Sequence, residues 1–260
     1  MAGVDIGSRT GKAVVMEDGN IISSAICDTI LKGTEIAWTT MKRTLAGTGL
    51  TLDDIQYTVA TGYGRFVVPY AHGNVSEVSC HARGVHYLFP SARTILDIGG
   101  QDSKAININE QGRITNFFMN DMCAGGTGKF LEVMADLLQI AFEDMGKLHF
   151  QSRKRILFNV KCVLFAKSEA LTMLREGIEK CDIVAGLNDV VATAGFALLS
   201  RASIIKDLSL TGGVVKNAGV VERIKEKTGL EPLLAPDPQI VGALGAALFA
   251  QKKYLAKQKT

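Results

Sequence analysis

The tripeptide Asp-Ile-Gly occurs twice in this chain, as Asp5-Ile6-Gly7 and as Asp97-Ile98-Gly99, and each copy has the same surroundings. An apolar run ends in the aspartate, glycine and polar residues follow, and a second strand pattern opens near a lysine, Lys12 or Lys104. Alternating apolar runs joined by a short glycine turn read as a hairpin. Two such hairpins, about ninety positions apart, are an internal repeat, and a repeat restricts the architecture before any single element does. The economical solution is an α/β chain of two similar lobes facing one nucleotide. Residues 1–92 with a C-terminal helix at 239–260 would form the first lobe and residues 93–238 the second. A chain of 260 residues that is 47% hydrophobic can bury a core of that size.

Apolar spacing fills in the rest. A third strand is expected from Ile21 to Cys27 and a helix from Thr34 to Gly47. A strand from Ile55 to Ala60 precedes Thr61-Gly62-Tyr63-Gly64-Arg65, and a helix from Ser76 to Tyr87 carries Cys80 and His81, with Cys80 a core residue. Residues 112–119 complete the second hairpin. After a polar, punctuated stretch at 140–155, an extended segment or short strand is expected from Ile156 to Lys161. Helices follow over Phe165–Glu176 and Ile183–Ser203. Asp207 to Asn217 reads as strand, Gly-Gly turn and helix start, and Glu231–Pro238 as an edge strand and loop. Gln239–Leu248 is a helix whose Gly242, Gly245 and Ala246 suit close backbone packing.

Both Asp-Ile-Gly turns carry chemistry. Asp5 ends its strand pointing into the turn, where Ser8, Thr10 and the turn amides suit phosphate oxygens and Lys12 can neutralise them. A lone turn of this kind is also an ordinary hairpin turn; its recurrence at Asp97 is what gives it weight. At Gly212-Gly213 the missing side chains would let an adenine or ribose lie on backbone.

The stretch Asn120-Asp121-Met122-Cys123-Ala124-Gly125-Gly126-Thr127-Gly128-Lys129 runs straight into a helical pattern from Phe130 to Leu138. Glycines expose backbone N–H groups, and a helix N-terminus favours negative charge. The residues alone leave three readings open: a phosphate loop, a ligand loop for a metal or cluster, or a tight turn around a buried cysteine. Cys162 likewise precedes a helix.

Five cysteines, Cys27, Cys80, Cys123, Cys162 and Cys181, form no CxxC pair and no disulfide framework. Strand pattern begins at once after Met1, no signal peptide is expected, and no apolar run is read as reaching transmembrane length. Reduced thiols in a cytoplasmic protein, with no membrane partner, are the expectation. A formal net charge of +3 with 21% charged residues implies no nucleic-acid partner. Arg153-Lys154-Arg155 and the Lys252, Lys253, Lys257, Lys259 tail read as solvated surface.

The three glycine turns and the terminal Gly-Ala-Leu-Gly-Ala-Ala helix, in this order, resemble the actin/Hsp70/hexokinase-like ATPase fold, a duplicated ribonuclease H-like architecture. More specific are Asn120-Asp121-x-Cys123-Ala124-x-Gly126-Thr127-Gly128 and Cys162-x-x-Phe165-Ala166-x-Ser168-Glu169. With Ala60–Arg65 and Cys80-His81-Ala82-Arg83-Gly84, they resemble the activators of 2-hydroxyacyl-CoA dehydratases, a family that includes the ATPase subunits of benzoyl-CoA reductase. The resemblance spans essentially the whole chain. It implies a 4Fe–4S cluster shared across a dimer, each chain giving Cys123 and Cys162. A homodimer is expected, with a heterodimer of related chains the variant. It implies Mg²⁺ at Asp5 and Asp97, and ATP or ADP phosphates at Gly7, Ser8, Arg9, Thr10 and Lys12. Gly99, Gly100, Gln101 and Asp102 would line the second phosphate turn, with Gln101 orienting the attacking water. Gly212, Gly213 and Asn217 would meet adenosine. The implied activity is ATP-driven electron transfer, from a ferredoxin or flavodoxin to an iron–sulfur acyl-CoA dehydratase or reductase. Around Cys162 the chain departs from the family pattern, with Val160, Lys161, Val163 and Lys167. Lys161 and Lys167 bring positive charge, which would raise a cluster's potential or alter docking. Asn188 stands where a histidine is expected.

Two other classes fit the same fold. A small-molecule kinase would need a substrate pocket and a base, for which no motif matches the cysteine pair in specificity. A regulatory ATPase subunit would have lost the cluster or replaced it with zinc, which tetrahedral sulfur also suits.

Overall fold

The computed structural model describes residues 1–28, 33–159 and 162–259. Contacts divide the chain into two units. Unit 1 is Met1–Ala92 with Ile108–Thr115 and Ala235–Thr260, and unit 2 is Arg93–Asn107 with Asn116–Leu234.

Unit 1 is built on β1 (Ala2–Ile6), β2 (Thr10–Glu17), β3 (Asn20–Asp28), β4 (Thr58–Thr61) and β5 (Gly73–Asn74), in the sheet order β3-β2-β1-β4-β5. The first three are antiparallel neighbours, and β4 lies parallel to β1 and to β5. Every residue of β1 is buried, as expected of a central strand covered on both faces. Helix α1 (Thr34–Leu45) buries Ile36, Ala37, Thr40, Met41 and Thr44, one face of the period-3.6 pattern. Helix α2 (Glu77–Leu88) starts where Ser76 Oγ accepts from Ser79 N at 3.3 Å, a side-chain N-cap. The last helix, α8 (Val241–Lys257), lies on β1, β4 and α2. Small residues permit this: a side chain on Gly245 would strike the backbone of Cys80, and one on Gly3 the backbone of Ala243 and Ala247.

In unit 2, β6 (Thr94–Ile98), β7 (Ser103–Ile108), β8 (Ile114–Asn120), β9 (Leu208–Thr211) and β10 (Leu233–Leu234) form a sheet of order β10-β9-β6-β7-β8. Its plan repeats the first: an antiparallel β6–β7 hairpin beside a parallel strand, β9. Among the described residues, five α-helices complete it: α3 (Gly128–Leu138), α4 (Met145–His149), α5 (Val163–Arg175), α6 (Lys180–Ala202) and α7 (Ala218–Thr228). Phe130, Leu131, Met134 and Leu138 of α3 are wholly buried, each worth about 1.5–3 kcal/mol of apolar burial.

Four expectations shift. The β4 strand begins at Thr58, because a 3₁₀ turn over Leu52–Asp54 runs into Ile55. The stretch at 140–155 is not mere punctuation. It holds a 3₁₀ turn (Phe142–Asp144) and α4, anchored by the buried Met145 and His149. Residues 156–159 form no strand; they run along α6, with the Ile156 carbonyl and Phe158 ring seated on Gly186. Val160 and Lys161 lie outside the described residues. Finally, α6 is long and apolar enough by length and composition to cross a membrane, contrary to the reading above. Two thirds of that window is buried, and Ile183, Val184, Leu187, Val191 and Leu199 belong to the core of unit 2.

Candidate functional site

The repeat seen in the sequence extends to atomic contacts, and it has a third member. In unit 1, Asp5 pairs across the hairpin with Lys12 and, on its parallel side, with Thr61. In unit 2, Asp97 pairs with Lys104 and Thr211 in the same way. Each threonine is followed by a glycine with positive φ, Gly62 (82°) and Gly212 (93°). A β-carbon on Gly62 would collide with Asp5 and the Ile6 carbonyl; on Gly212 it would collide with Asp97 and the Ile98 carbonyl. Only glycine allows both the dihedral and the approach. So each half carries an aspartate, a lysine and a Thr-Gly turn at the ends of central strands. The Thr-Gly members are visible in the sequence as Thr61-Gly62 and Thr211-Gly212, but only the register pairs them with the aspartates.

The two copies differ in how their carboxylates are used. Asp97 is saturated. Thr211 Oγ1 donates to its Oδ1 at 2.9 Å, and Lys104 Nζ lies 3.4 Å from Oδ2 and 2.6 Å from Asp102 Oδ2. Lys104 is 2% exposed, so the lysine and both carboxylates are buried together, and removing one charge would leave the others uncompensated. Asp5 is equally buried, but it has Lys12 Nζ at 3.3 Å on Oδ2 while Oδ1 has no hydrogen-bond partner. A buried carboxylate oxygen without a partner is costly, and a cation or its water shell is what such an atom fits. The donor chemistry of Mg²⁺, oxygen from a carboxylate, is met at Asp5.

The turns themselves are held by backbone. Gly7 N donates to Thr10 O at 3.0 Å, and Gly99 N to Asp102 O at 2.9 Å. Ser8, Arg9 and Gln101 are exposed at the turn tips; Gly7, Thr10, Lys12, Gly99 and Gly100 are half-buried. The Thr211–Val214 turn continues into a 3₁₀ turn, Gly213–Lys216. Asn217 is buried and caps α7: its Oδ1 accepts from Gly219 N at 3.0 Å, and its Nδ2 donates to Asn188 Oδ1 at 2.9 Å. Asn188 Nδ2 lies 3.3 Å from His149 Nδ1, and burial, then Arg223, holds that imidazole below its ordinary value. The Asn217 side chain is thus committed to a helix cap and a buried polar chain, and Asn188 fills the place where the sequence comparison expected histidine.

Cys123 and Cys162 are exposed free thiols in unit 2, whereas Cys27 and Cys80 are buried and Cys181 is half-buried. Cys162 is the N-cap residue of α5, with its carbonyl accepting from Ala166 N at 2.9 Å. Cys123 lies in the loop that enters α3, where Asn120 Nδ2 donates to its carbonyl at 3.1 Å. The two helices that follow these cysteines pack on each other. The cysteine loop is also bonded to the second Asp-Ile-Gly turn. Gly128 N donates to Gly99 O at 2.9 Å, Lys129 N to Gly100 O at 2.8 Å, and Ser103 Oγ to Gly126 O at 3.0 Å. Glu169 accepts from Asn159 N and Nδ2, tying the segment before Cys162 to α5. Met122, Leu164 and Phe165, beside the thiols, are 96%, 74% and 65% exposed.

Two α/β units, each ending its central strands in an Asp-Ile-Gly turn, define the class as an actin/hexokinase-like ATPase fold. A ROK-family glucokinase from Streptomyces griseus shares it at TM-score 0.59 and 15% identity, over 97% of this chain and 99% of that one. Residues 2–250 match the BadF/BadG/BcrA/BcrD ATPase family, and the chain belongs to that family. It is 44% identical over 257 residues to an activator of lactoyl-CoA dehydratase from Anaerotignum propionicum, covering 99% of this chain and 98% of that protein. It is 40% identical over 252 residues to the (R)-2-hydroxyglutaryl-CoA dehydratase activating ATPase of Acidaminococcus fermentans, covering 96% of each. The ADPNP-bound structure of the 2-hydroxyisocaproyl-CoA dehydratase activator from Clostridium difficile superimposes at TM-score 0.96 with 38% identity, over 100% of this chain and 97% of that one.

Proposed function

We propose that this protein is an ATP-dependent activator that delivers a low-potential electron to an iron–sulfur acyl-CoA dehydratase or reductase. The electron would come from a ferredoxin or flavodoxin. The observation that carries the reading is the hydrogen-bonded continuity between the Cys123 loop and the second Asp-Ile-Gly turn. A change in Gly99–Asp102 cannot leave Gly126–Lys129 where it is without breaking those bonds. That is the connection a nucleotide-driven redox device needs.

A 4Fe–4S cluster takes four thiolates, and two exposed thiols, one at the start of α5 and one in the loop that enters α3, are half of that set. A second copy of the chain related by a two-fold axis would supply the rest, and the exposed Met122, Leu164 and Phe165 suit a covered face. When bound, such a cluster supplies one-electron chemistry at low potential. Cys123 and Cys162 would hold it, the α3 and α5 N-termini favouring its negative charge. Lys167, half-buried on α5, would moderate that charge.

In unit 1, Asp5 would take Mg²⁺, directly or through water, and Gly7, Ser8, Arg9, Thr10 and Lys12 would meet phosphate oxygens. In unit 2, Gly99, Gly100, Gln101 and Asp102 would form the second phosphate turn, with Gln101 orienting water. Gly212 and Gly213 would lie against adenosine, with Asn217 behind them holding the turn in place. Asp97, with Lys104 and Thr211 on its two oxygens, would act on Mg²⁺ directly or through water. ATP would drive the change by binding one conformation better than the other, since a ligand shifts an equilibrium only by that difference.

Anaerobic purification tests this directly. A brown dimer with four iron and four sulfide per two chains, and ATPase activity, is the expected result. Colourless anaerobic protein without iron overturns the electron-transfer reading, and stoichiometric zinc in its place favours a regulatory subunit.

A further inference from the structure

One polar cluster of unit 1 is left over by this reading. Helix α2 carries Glu77 and His81 one turn apart, and His81 is 3% exposed. His81 Nε2 lies 3.9 Å from Glu77 Oε1. On its other side stands Gly242, in the first turn of α8. A β-carbon built there would lie 3.1 Å from His81 Nε2 and 3.2 Å from Asp5 Oδ2. The imidazole and the Asp5 carboxylate therefore border the same small space, which the absence of a side chain at position 242 leaves open. Asp5 Oδ2 faces that space and Lys12, while Oδ1 is the buried oxygen without a partner.

We infer that His81 is a positioning residue for the Asp5 cation site, with Glu77 holding the imidazole and Gly242 keeping room for it. The inference rests on the reading that Asp5 serves the cation of a metal–nucleotide complex. A carboxylate that rotates about its terminal torsion cannot hold one oxygen on a cation. An imidazole bordering the same space as Oδ2 limits that rotation and keeps Oδ1 on the Gly62 side of the carboxylate. Outer-shell partners of this kind typically change metal affinity by about 10–100-fold.

The test is Mn²⁺·ADP binding to the intact protein, followed by electron paramagnetic resonance of the free ion, with ADP affinity measured separately in EDTA. His81→Ala is expected to weaken Mn²⁺ binding at least tenfold and leave metal-free ADP binding unchanged. His81→Gln, which keeps a donor at comparable reach, recovers most of the loss, and Glu77→Gln falls between. Gly242→Ala, which crowds both groups, mimics His81→Ala and replaces it as the probe if His81→Ala does not fold. Wild-type Mn²⁺ affinity in His81→Ala or, in its place, Gly242→Ala overturns the inference, as does equal weakening in His81→Ala and His81→Gln, which marks packing alone. Asp5→Asn separates the two levels. If it binds Mn²⁺·ADP like the wild type, the Asp5 reading itself fails; if it loses the ion while His81→Ala keeps it, only the role of His81 fails.

Discussion

At the scale of single residues, the duplicated aspartates show how one motif takes two states. Asp97 pairs with Lys104 and accepts from Thr211, whereas Asp5 pairs with Lys12 and keeps an unpartnered oxygen; both have a lysine and a threonine at the same register positions, and the placement of the side chains makes the difference. Cys80, on α2 beside this region, shows the opposite of a functional cysteine. Burial pushes its thiol from 9.0 up to about 12. The unfolded chain loses that proton near pH 9 and the folded one keeps it, so above pH 9 the folded state binds more protons and stability falls as pH rises. The expected slope from this one thiol approaches about 1.4 kcal/mol per pH unit between pH 9 and 12. Urea unfolding across that range should show a shallower decline in Cys80→Ala than in the wild type; identical slopes would refute the assignment.

Among elements, residues 152–154 ahead of Cys162 are gathered by one carboxylate. Asp182 Oδ1, in the first turn of α6, accepts from Ser152 Oγ at 2.9 Å, Arg153 N at 2.7 Å and Lys154 N at 3.0 Å. The Lys154 N–H is the main cause holding this carboxyl below its ordinary 3.8. Its contribution is therefore present above that value and lost as pH falls through the depressed one. Asp182→Ala should release 152–154 while the helices stay folded. Limited trypsin digestion at neutral pH should then cut at Arg153, Lys154 or Arg155 several-fold faster than in the wild type; unchanged cutting would place the restraint elsewhere. Element ends were read from the sequence where a cap marks them, as at Ser76. They were missed where tertiary packing decides, as at Met145–His149 and along 156–159.

For the whole molecule, the first and last parts of the chain form one unit. Helix α8 packs on β1, β4 and α2, and Gly245 lies against the Cys80 backbone. Gly245→Val would force those backbones apart. A loss of about 3 kcal/mol or more is expected, since overpacking in a tight core costs about 1–3 kcal/mol and this clash is with backbone. Denaturant unfolding of the variant against the wild type measures it, and a loss below about 1 kcal/mol would show that α8 can move away without cost. What the sequence determined alone was the repeat, the fold class, the family and the cysteine loop. These are local patterns: strand alternation, Asp-Ile-Gly turns, and cysteines beside glycines. What only the tertiary structure decided was which side chains are free to act. Register brought Thr61 and Thr211 to the aspartates, burial joined Lys104 to Asp97 and Asp102, and packing committed Asn217 to a cap. The physical reason is that a polar group's availability depends on partners gathered from distant parts of the chain, and no short stretch of sequence contains them.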